Sequence, residues 1–238
     1  MHLLHLGKQA SFLNLLKLLL QYMITNLSQY NSIFSEWMRE IRDVDMQTDK
    51  MRFRRNMERI GEVAAYEISK YMPYNMVTIE TPMGESVCSV LEQQPVLATI
   101  LRAGIPLHQG LLNYFDKADN AFIAGYRKHH RDGSFNIEQQ YYTSPDINGK
   151  VLIIADPMLA TGASLVLAIE TLLETGKPSQ IHIVCAIACT EGIELLKRKL
   201  PEAFIWAGAI DDELTARGYI VPGLGDAGDL AFGPKKQS

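Results

Sequence analysis

The fold of this chain turns on the stretch Val151-Leu-Ile-Ile-Ala-Asp-Pro-Met-Leu-Ala-Thr-Gly-Ala-Ser164. It opens on five apolar residues rich in branched side chains, the composition of a strand buried on both faces of a parallel sheet. Asp156 stands where that strand ends. Pro157 has no N–H for a sheet ladder, which predicts that the chain leaves the sheet there. Leu165, Ala168, Ile169, Leu172 and Leu173 then recur at helical spacing up to Gly176. The order is strand, acidic turn, small hydroxyl-bearing loop, helix start. Backbone N–H groups at a helix start lack intrahelical partners, and the helix dipole adds positive potential there. Gly162 and Ala163 let the backbone close around a phosphate, and Thr161 and Ser164 can donate hydroxyl hydrogen bonds to it. Asp156, a loop's length away, suits sugar hydroxyls. The spacing alone also fits a plain strand-to-helix turn capped by Ser and Thr. Without Gly-Lys-Ser/Thr it is not a Walker loop.

Upstream, Ile33, Trp37, Met38 and Ile41 predict a helix over 31–44. A second helix is expected from a Thr48 cap through Met51, Phe53, Met57, Ile60, Val63 and Ala64, ending before Pro73. Its arginines, Arg52, Arg54, Arg55 and Arg59, fit either phosphate binding or a solvated face paired with Glu58 and Glu62. Met76 to Glu80 alternates as a strand does, with Thr81-Pro82-Met83-Gly84 as its turn. Val96 to Ile100 is an apolar strand ending at Leu101-Arg102-Ala103-Gly104, and a helix follows through Leu107, Leu111 and Leu112. An arginine at the carboxyl end of a parallel strand points into the crevice where α/β sheets bind ligands, although a surface charge would read the same way. Ala121 to Tyr126 predicts another strand, ending at Tyr126-Arg127. The polar run Lys128-His-His-Arg-Asp-Gly-Ser134 is then either an exposed hairpin or a flap over a site. Gln139 to Thr143 returns as a strand, and Pro145 to Gly149 is a turn.

Downstream, a strand over 181–188, a helix over 190–200 and a last strand over 204–207 continue the alternation. Strands alternating with helices predict a doubly wound, mostly parallel sheet flanked by helices, with an N-terminal helical region and a β-hairpin flap. The tail Gly218-Tyr-Ile-Val-Pro-Gly-Leu-Gly-Asp-Ala-Gly-Asp229 has too few side chains to build a core of its own, yet it is less polar than a floppy terminus. Its backbone groups can read the edge of a flat heterocycle, with Tyr219 and Ile220 as apolar walls.

The 238 residues suffice for one α/β domain, and a net charge of −4 argues against a general nucleic-acid binder. Cys88, Cys185 and Cys189 form no even framework and fit reduced thiols in a cytoplasmic protein. No Cys/His grouping has zinc spacing. Residues 1–22 contain the apolar run Ser11 to Leu20, which is too short and interrupted for a membrane span and lacks a small-residue cleavage site. They read as an upstream extension of the reading frame or a helical leader, and 23–238 as a single domain.

Asp156-Pro157-Met158-Leu159-Ala160-Thr161-Gly162 resembles the phosphoribosyl-pyrophosphate loop of the uracil phosphoribosyltransferases, a branch of the type I phosphoribosyltransferases. Other branches usually carry two adjacent acids where this chain has Asp156-Pro157. Leu101 to Gly104 is similar to the family's pyrophosphate-contacting turn, Tyr126-Arg127 to the start of its flexible hairpin, and 218–229 to its uracil loop. The likeness spans roughly residues 28–234. It implies transfer of phosphoribose from phosphoribosyl pyrophosphate to uracil, giving uridine monophosphate and diphosphate. Arg102 and Arg127 would bind the pyrophosphate, Asp156 the ribose, and Pro157 to Ser164 (Met158, Leu159, Ala160, Thr161, Gly162 and Ala163 between them) would form the phosphate loop. Tyr219, Ile220, Gly225 and Ala227 would surround uracil, with Asp226 between base and cosubstrate. Mg²⁺ would come with the pyrophosphate, held through substrate oxygens and water rather than by the protein. The resemblance also implies a homodimer or larger homo-oligomer built partly by the N-terminal helices and leaves open a GTP effector, while the acidic chain and the lack of a spanning segment predict no nucleic-acid or membrane partner. The chain departs from the family in three places: Lys128 to Arg131, where relatives tend to be acidic, Leu230, where a basic residue is common, and Ala163, where many have glycine. His129 and His130 fit either a titrating anion contact or solvated loop histidines. A non-catalytic nucleotide sensor, or an enzyme for another pyrimidine, uses the same pattern.

Overall fold

The five residues Val151–Ala155 form β7, and all five are buried. Their side chains alternate between two cores: Val151, Ile153 and Ala155 pack on one face of the sheet, Leu152 and Ile154 on the other. The computed structural model describes residues 23–129 and 135–235, with the backbone alone over 125–129 and 135–140. Within that range β7 lies inside an eight-stranded sheet. Along its path run β1 (Ile24–Asn26), β10 (Phe204–Asp211), β9 (Gln180–Cys189), β7, β4 (Val96–Leu101), β5 (Asp119–His129) and β6 (Phe135–Thr143), while β8 (Met158–Leu159) pairs off the path with β9. Every pairing is parallel except that of β5 with β6. The chain winds from β4 to β5 in one direction and through β7, β9 and β10 in the other, so the order reverses between β4 and β7. This is the doubly wound, mostly parallel sheet expected, and its switch point opens at the carboxyl ends of those two strands.

Helices cover both faces. Phe34, Met38 and Ile41 of α1 (Ile33–Arg42), Phe53, Met57 and Ile60 of α2 (Lys50–Ser69), and Leu107 and Leu111 of α3 (Ile105–Tyr114) enter one core. Leu165, Ile169 and Leu172 of α4 (Ala163–Leu173) and Ile193 and Leu196 of α5 (Thr190–Lys199) fill the other. Burying each such side chain contributes about 1.5–3 kcal/mol, so the two cores dominate the energetics.

Several expectations are corrected. Asp49, not Thr48, caps α2, its carboxylate accepting the Arg52 N–H at 3.0 Å, while the Thr48 hydroxyl donates back to Asp45 O. The strand expected over 76–80 is longer, β2 (Tyr74–Thr81), and pairs with an unforeseen β3 (Gly84–Leu91) in a separate two-stranded sheet. The chain leaves the sheet at Pro157 but rejoins it at once as β8, because Pro157 O accepts the N–H groups of both Ala186 and Ile187 at 3.0 Å. The last strand extends past Ala207 to Asp211. The tail is also ordered: β11 (Glu213–Leu214) pairs with β12 (Ile220–Val221), and α6 (Ala227–Phe232) follows. Ile220, Leu224, Ala227 and Ala231 are buried against the α1–α2–α3 core, so the tail borrows a core rather than building one. Among the described residues no helix is long and apolar enough to cross a membrane. Residues 1–22 and the flap segment 130–134, with His130 and Arg131, lie outside the described residues, as do the side chains of Arg127, Lys128 and His129.

Candidate active site

At the end of β7 the loop is fastened from below. Asp156 N donates to Val184 O at 3.1 Å, and Pro157 O takes its two bonds from β9. Gly162 is the N-cap of α4 at φ +82°, a left-handed conformation that favours glycine. A Cβ there would lie 3.1 Å from Gly192 O, so the α5 backbone closes off the space as well. The helix start has no side-chain cap. Thr161 Oγ1 makes only a long contact, 3.4 Å, as acceptor from Ala163 N. The capped strand-to-helix turn that the sequence left open is therefore not what forms. Asp156, Met158, Ala160, Thr161, Gly162 and Ser164 instead line a small cavity of about 20 Å³ at the helix N-terminus. Burial first, and the Asp156 charge second, push the Cys185 thiol beneath it upward, so that thiol stays neutral.

The turn after β4 packs directly against this loop. Thr99 Oγ1 donates to Ala155 O at 3.0 Å across the two strands. At Gly104 a Cβ would clash with that hydroxyl and stand 2.7 Å from Ala155 O, so glycine is what lets the turn sit this close. Arg102, in the turn, is 38% exposed through its side chain and donates from Nη2 to Asp229 Oδ1 and to Gly233 O, both at 2.9 Å. Its guanidinium is thus held from the tail side.

The tail supplies the third wall. Asp226 caps α6, with Oδ1 accepting the Asp229 N–H at 3.0 Å and Oδ2 accepting from Lys235 Nζ at 3.0 Å. Burial pulls this carboxyl upward, but the Asp229 and Gly228 N–H groups and the Lys235 charge outweigh it and hold its pKa below the usual value. Asp226 is therefore a carboxylate at neutral pH. A Cβ on Gly228 would reach within 3.6 Å of Ala103 Cβ, so α6 starts beside the Arg102 turn. Tyr219, just before β12, is half-exposed, whereas the Ile220 side chain turns into the core. Ile220 offers the site backbone only, not the apolar wall expected of it. Gly225 has φ +94° and open space around it.

The arrangement brings Asp156, residues 157–164, Arg102 and the tail residues 219–227 to one end of the sheet. Arg127 lies on β5 opposite Ile137, with its side chain outside the description. Of the α2 arginines, Arg54 donates to Ala231 O of the tail, and the other three are engaged elsewhere. Arg55 pairs with Glu58 and Glu62 as the solvated-face reading expects, Arg52 pairs with buried Glu40, and Arg59 lies 5.5 Å over the Trp37 ring. Sequence reasoning missed Asp229, Lys235, Arg42 and Asp211. The last two pair bidentately at 2.8 Å beneath Gly223. Asp211 carries a signal, an acid at the end of a strand like Asp156, but β10 runs four residues past the strand that the sequence predicts.

Among the described residues no three His, Cys, Asp or Glu side chains gather as a metal site. What the crevice offers a cation is carboxylate and hydroxyl oxygen, which suits a hard ion shared with a ligand's own oxygens.

A family model described as uracil phosphoribosyltransferase matches residues 29–234. A protein of Porphyromonas gingivalis named uracil phosphoribosyltransferase is 51% identical over 213 residues, covering 89% of this chain and 99% of its own. A Pyrococcus furiosus protein of the same name is 39% identical over 201 residues, 83% of this chain and 85% of its own. A solved structure from Aquifex aeolicus superposes with a TM-score of 0.79 at 28% identity, over 89% of this chain and 98% of that one.

Proposed function

The chain belongs to the uracil phosphoribosyltransferase family, and from that premise we propose that it transfers the phosphoribosyl group of phosphoribosyl pyrophosphate to N1 of uracil, releasing diphosphate and forming uridine monophosphate. The observation that carries this reading is the uncapped start of α4. Gly162 is left-handed, no side chain caps the helix, and Asp156 and the Thr161 and Ser164 hydroxyls line the same cavity. That is a seat for a 5′-phosphate on N–H groups, with a carboxylate spaced for ribose hydroxyls. Arg102 follows the carboxyl end of β4, beside the switch-point crevice where the pyrophosphate would lie, and Arg127 would reach it from β5.

Bond breaking runs ahead of bond making in this reading. The C1–O bond to diphosphate loosens, C1 gains oxocarbenium character, and uracil N1 approaches from the tail side. Arg102 and Arg127 stabilise the charge growing on the leaving oxygen. Asp156 fixes the ribose, and backbone groups of Ile220, Gly225 and Ala227 hold the edge of uracil against Tyr219. Asp226, ionised and anchored by its cap, lies between the two substrates. Mg²⁺ bound to the diphosphate oxygens would supply further charge neutralisation, with no ligand contributed by the protein alone. The free, buried Cys185 and Cys189 support a reducing, cytoplasmic setting.

The test is uridine monophosphate formation from uracil and phosphoribosyl pyrophosphate, with and without Mg²⁺, beside cytosine, hypoxanthine and orotate. Metal-dependent turnover of uracil alone is expected. Binding of phosphoribosyl pyrophosphate with no base turned over would replace the enzyme reading with a nucleotide sensor.

A further inference from the structure

A loop that reads a base through its own backbone has few side chains of its own with which to set its shape. Residues 223–227 are such a stretch: Gly223 and Gly225 have positive φ, and Gly225 has open space around it. What fixes this stretch comes from outside it. Asp211, 8% exposed at the carboxyl end of β10, accepts the Gly223 N–H at 2.9 Å through Oδ2. Both Asp211 oxygens also accept from the Arg42 guanidinium at 2.8 Å. Arg42 Nη1 then donates to Gly223 O at 3.1 Å. Both main-chain polar groups of Gly223 are thus held by one partly buried ion pair. At the far end, Arg54 Nη1 donates to Ala231 O at 2.7 Å. The arginines come from the last turn of α1 and the second turn of α2, elements that otherwise serve the core.

We infer that Arg42 and Asp211, with Arg54 at the other end, are positioning residues that set uracil affinity and base selectivity by holding the loop between them, without touching either substrate. A fork of two charge-assisted bonds constrains orientation as well as distance, which a single Lys or amide does not. Gly223 has φ +56°, and a Cβ there would clash with Ile220 O, so the loop enters in one conformation and the pair locks it. The inference rests on the reading of 219–227 as the base site.

The experiment compares Arg42→Lys, which keeps the charge but loses the fork, Asp211→Asn, which keeps the shape but loses the charge, their double variant, and Gly225→Ala as a probe of the base site itself. KM for uracil and for phosphoribosyl pyrophosphate are measured separately, with kcat and the uracil-to-cytosine preference. Each single clamp variant is expected to raise KM for uracil about tenfold or more, since small misplacements of a recognition loop cost that much. KM for the cosubstrate should stay within about twofold, and the double variant should lose no more than the worse single one, as coupled residues do. Hydrogen exchange over 219–231 should quicken in the same variants. Equal rises in both KM values, or additive losses in the double variant, would reduce the pair to a general structural prop and overturn the inference. If Gly225→Ala raises KM for uracil while the clamp variants do not, only the clamp is wrong. If Gly225→Ala leaves uracil untouched, the base-site reading falls, and the clamp's role with it.

Discussion

Gly162 holds φ +82° with a neighbouring carbonyl where a Cβ would go, so Gly162→Ala meets backbone strain and crowding together. The cost of a side chain in that region is about 1–2 kcal/mol. It falls on the helix start proposed to seat the phosphate, so KM for phosphoribosyl pyrophosphate is expected to rise about tenfold, while KM for uracil holds. Steady-state kinetics with each substrate varied would check this. Arg102→Ala should behave differently. In the proposed mechanism its charge partner grows in the transition state, so kcat should fall at least as much as affinity, and a rise in KM alone would remove Arg102 from the chemistry. His182 belongs to stability. Trp206 Nε1 donates to its Nδ1 at 3.1 Å, which leaves Nε2 to donate to Gln180 Oε1 at 3.0 Å and fixes a neutral ring. A second proton would point at the indole N–H, and burial lowers the pKa from 6.5 to about 4. Between those values the unfolded chain binds more protons than the folded one, so stability falls as pH drops through that window, by up to about 3 kcal/mol. Urea midpoints measured across it should show the slope, and His182→Gln should remove that part of it. Asp156 and Arg102 were legible in the sequence because each ends an apolar strand. Arg42 and Asp211 stand 169 positions apart and meet only through the fold.

At the scale of elements, the capping pattern separates support from site. Ser32, Asp49 and Asp226 cap α1, α2 and α6 with their side chains, whereas α3, α4 and α5, which follow the carboxyl ends of parallel strands, have none. A cap that serves only the fold should be removable without harm to catalysis. Asp49→Ala is expected to cost about 1 kcal/mol in denaturant unfolding while leaving kcat and both KM values unchanged. A change in either KM would mean that α2 reaches the site through more than Arg54. Long periodic elements were readable: the helices over 33–42 and 50–69 and the buried strands carried many repeats of their pattern. Ile24–Asn26, Glu213–Leu214 and Ile220–Val221 were not, since two or three residues cannot display a period. They are strands because a neighbouring edge accepts them. The tail escaped for a related reason, as Ile220, Leu224 and Ala231 need a core assembled by helices nearly two hundred residues earlier.

For the molecule as a whole, the part not explained by the fold is the arm formed by β2 and β3. Its eight cross-strand pairs run from Tyr74–Leu91 to the Thr81–Gly84 turn, and no residue of either strand is buried. A strand of this length extends about 26 Å. Opposed residues share a face, which places Met76 and Val87 on one side and Ile79 and Val90 on the other. Met76 is 67% exposed and Val87 63%. A lone two-stranded ribbon is marginal in water, and apolar side chains on both of its faces add exposed surface that a monomer has no reason to keep. A second copy of the chain covering the arm would account for both, in line with the homo-oligomer that the family resemblance implies. The protein is therefore expected to sediment at no less than twice its chain mass at micromolar concentration. Met76→Glu with Val87→Glu should lower that mass to one chain without unfolding the sheet, because neither residue touches the core. Light scattering that gives a single-chain mass for the unsubstituted protein would sink the idea. An unchanged mass in the double variant would instead move the interface off this face of the arm. The closing test is catalytic: if the arm also steadies the site of the second copy, the monomeric variant should lose turnover while its far-ultraviolet spectrum stays the same.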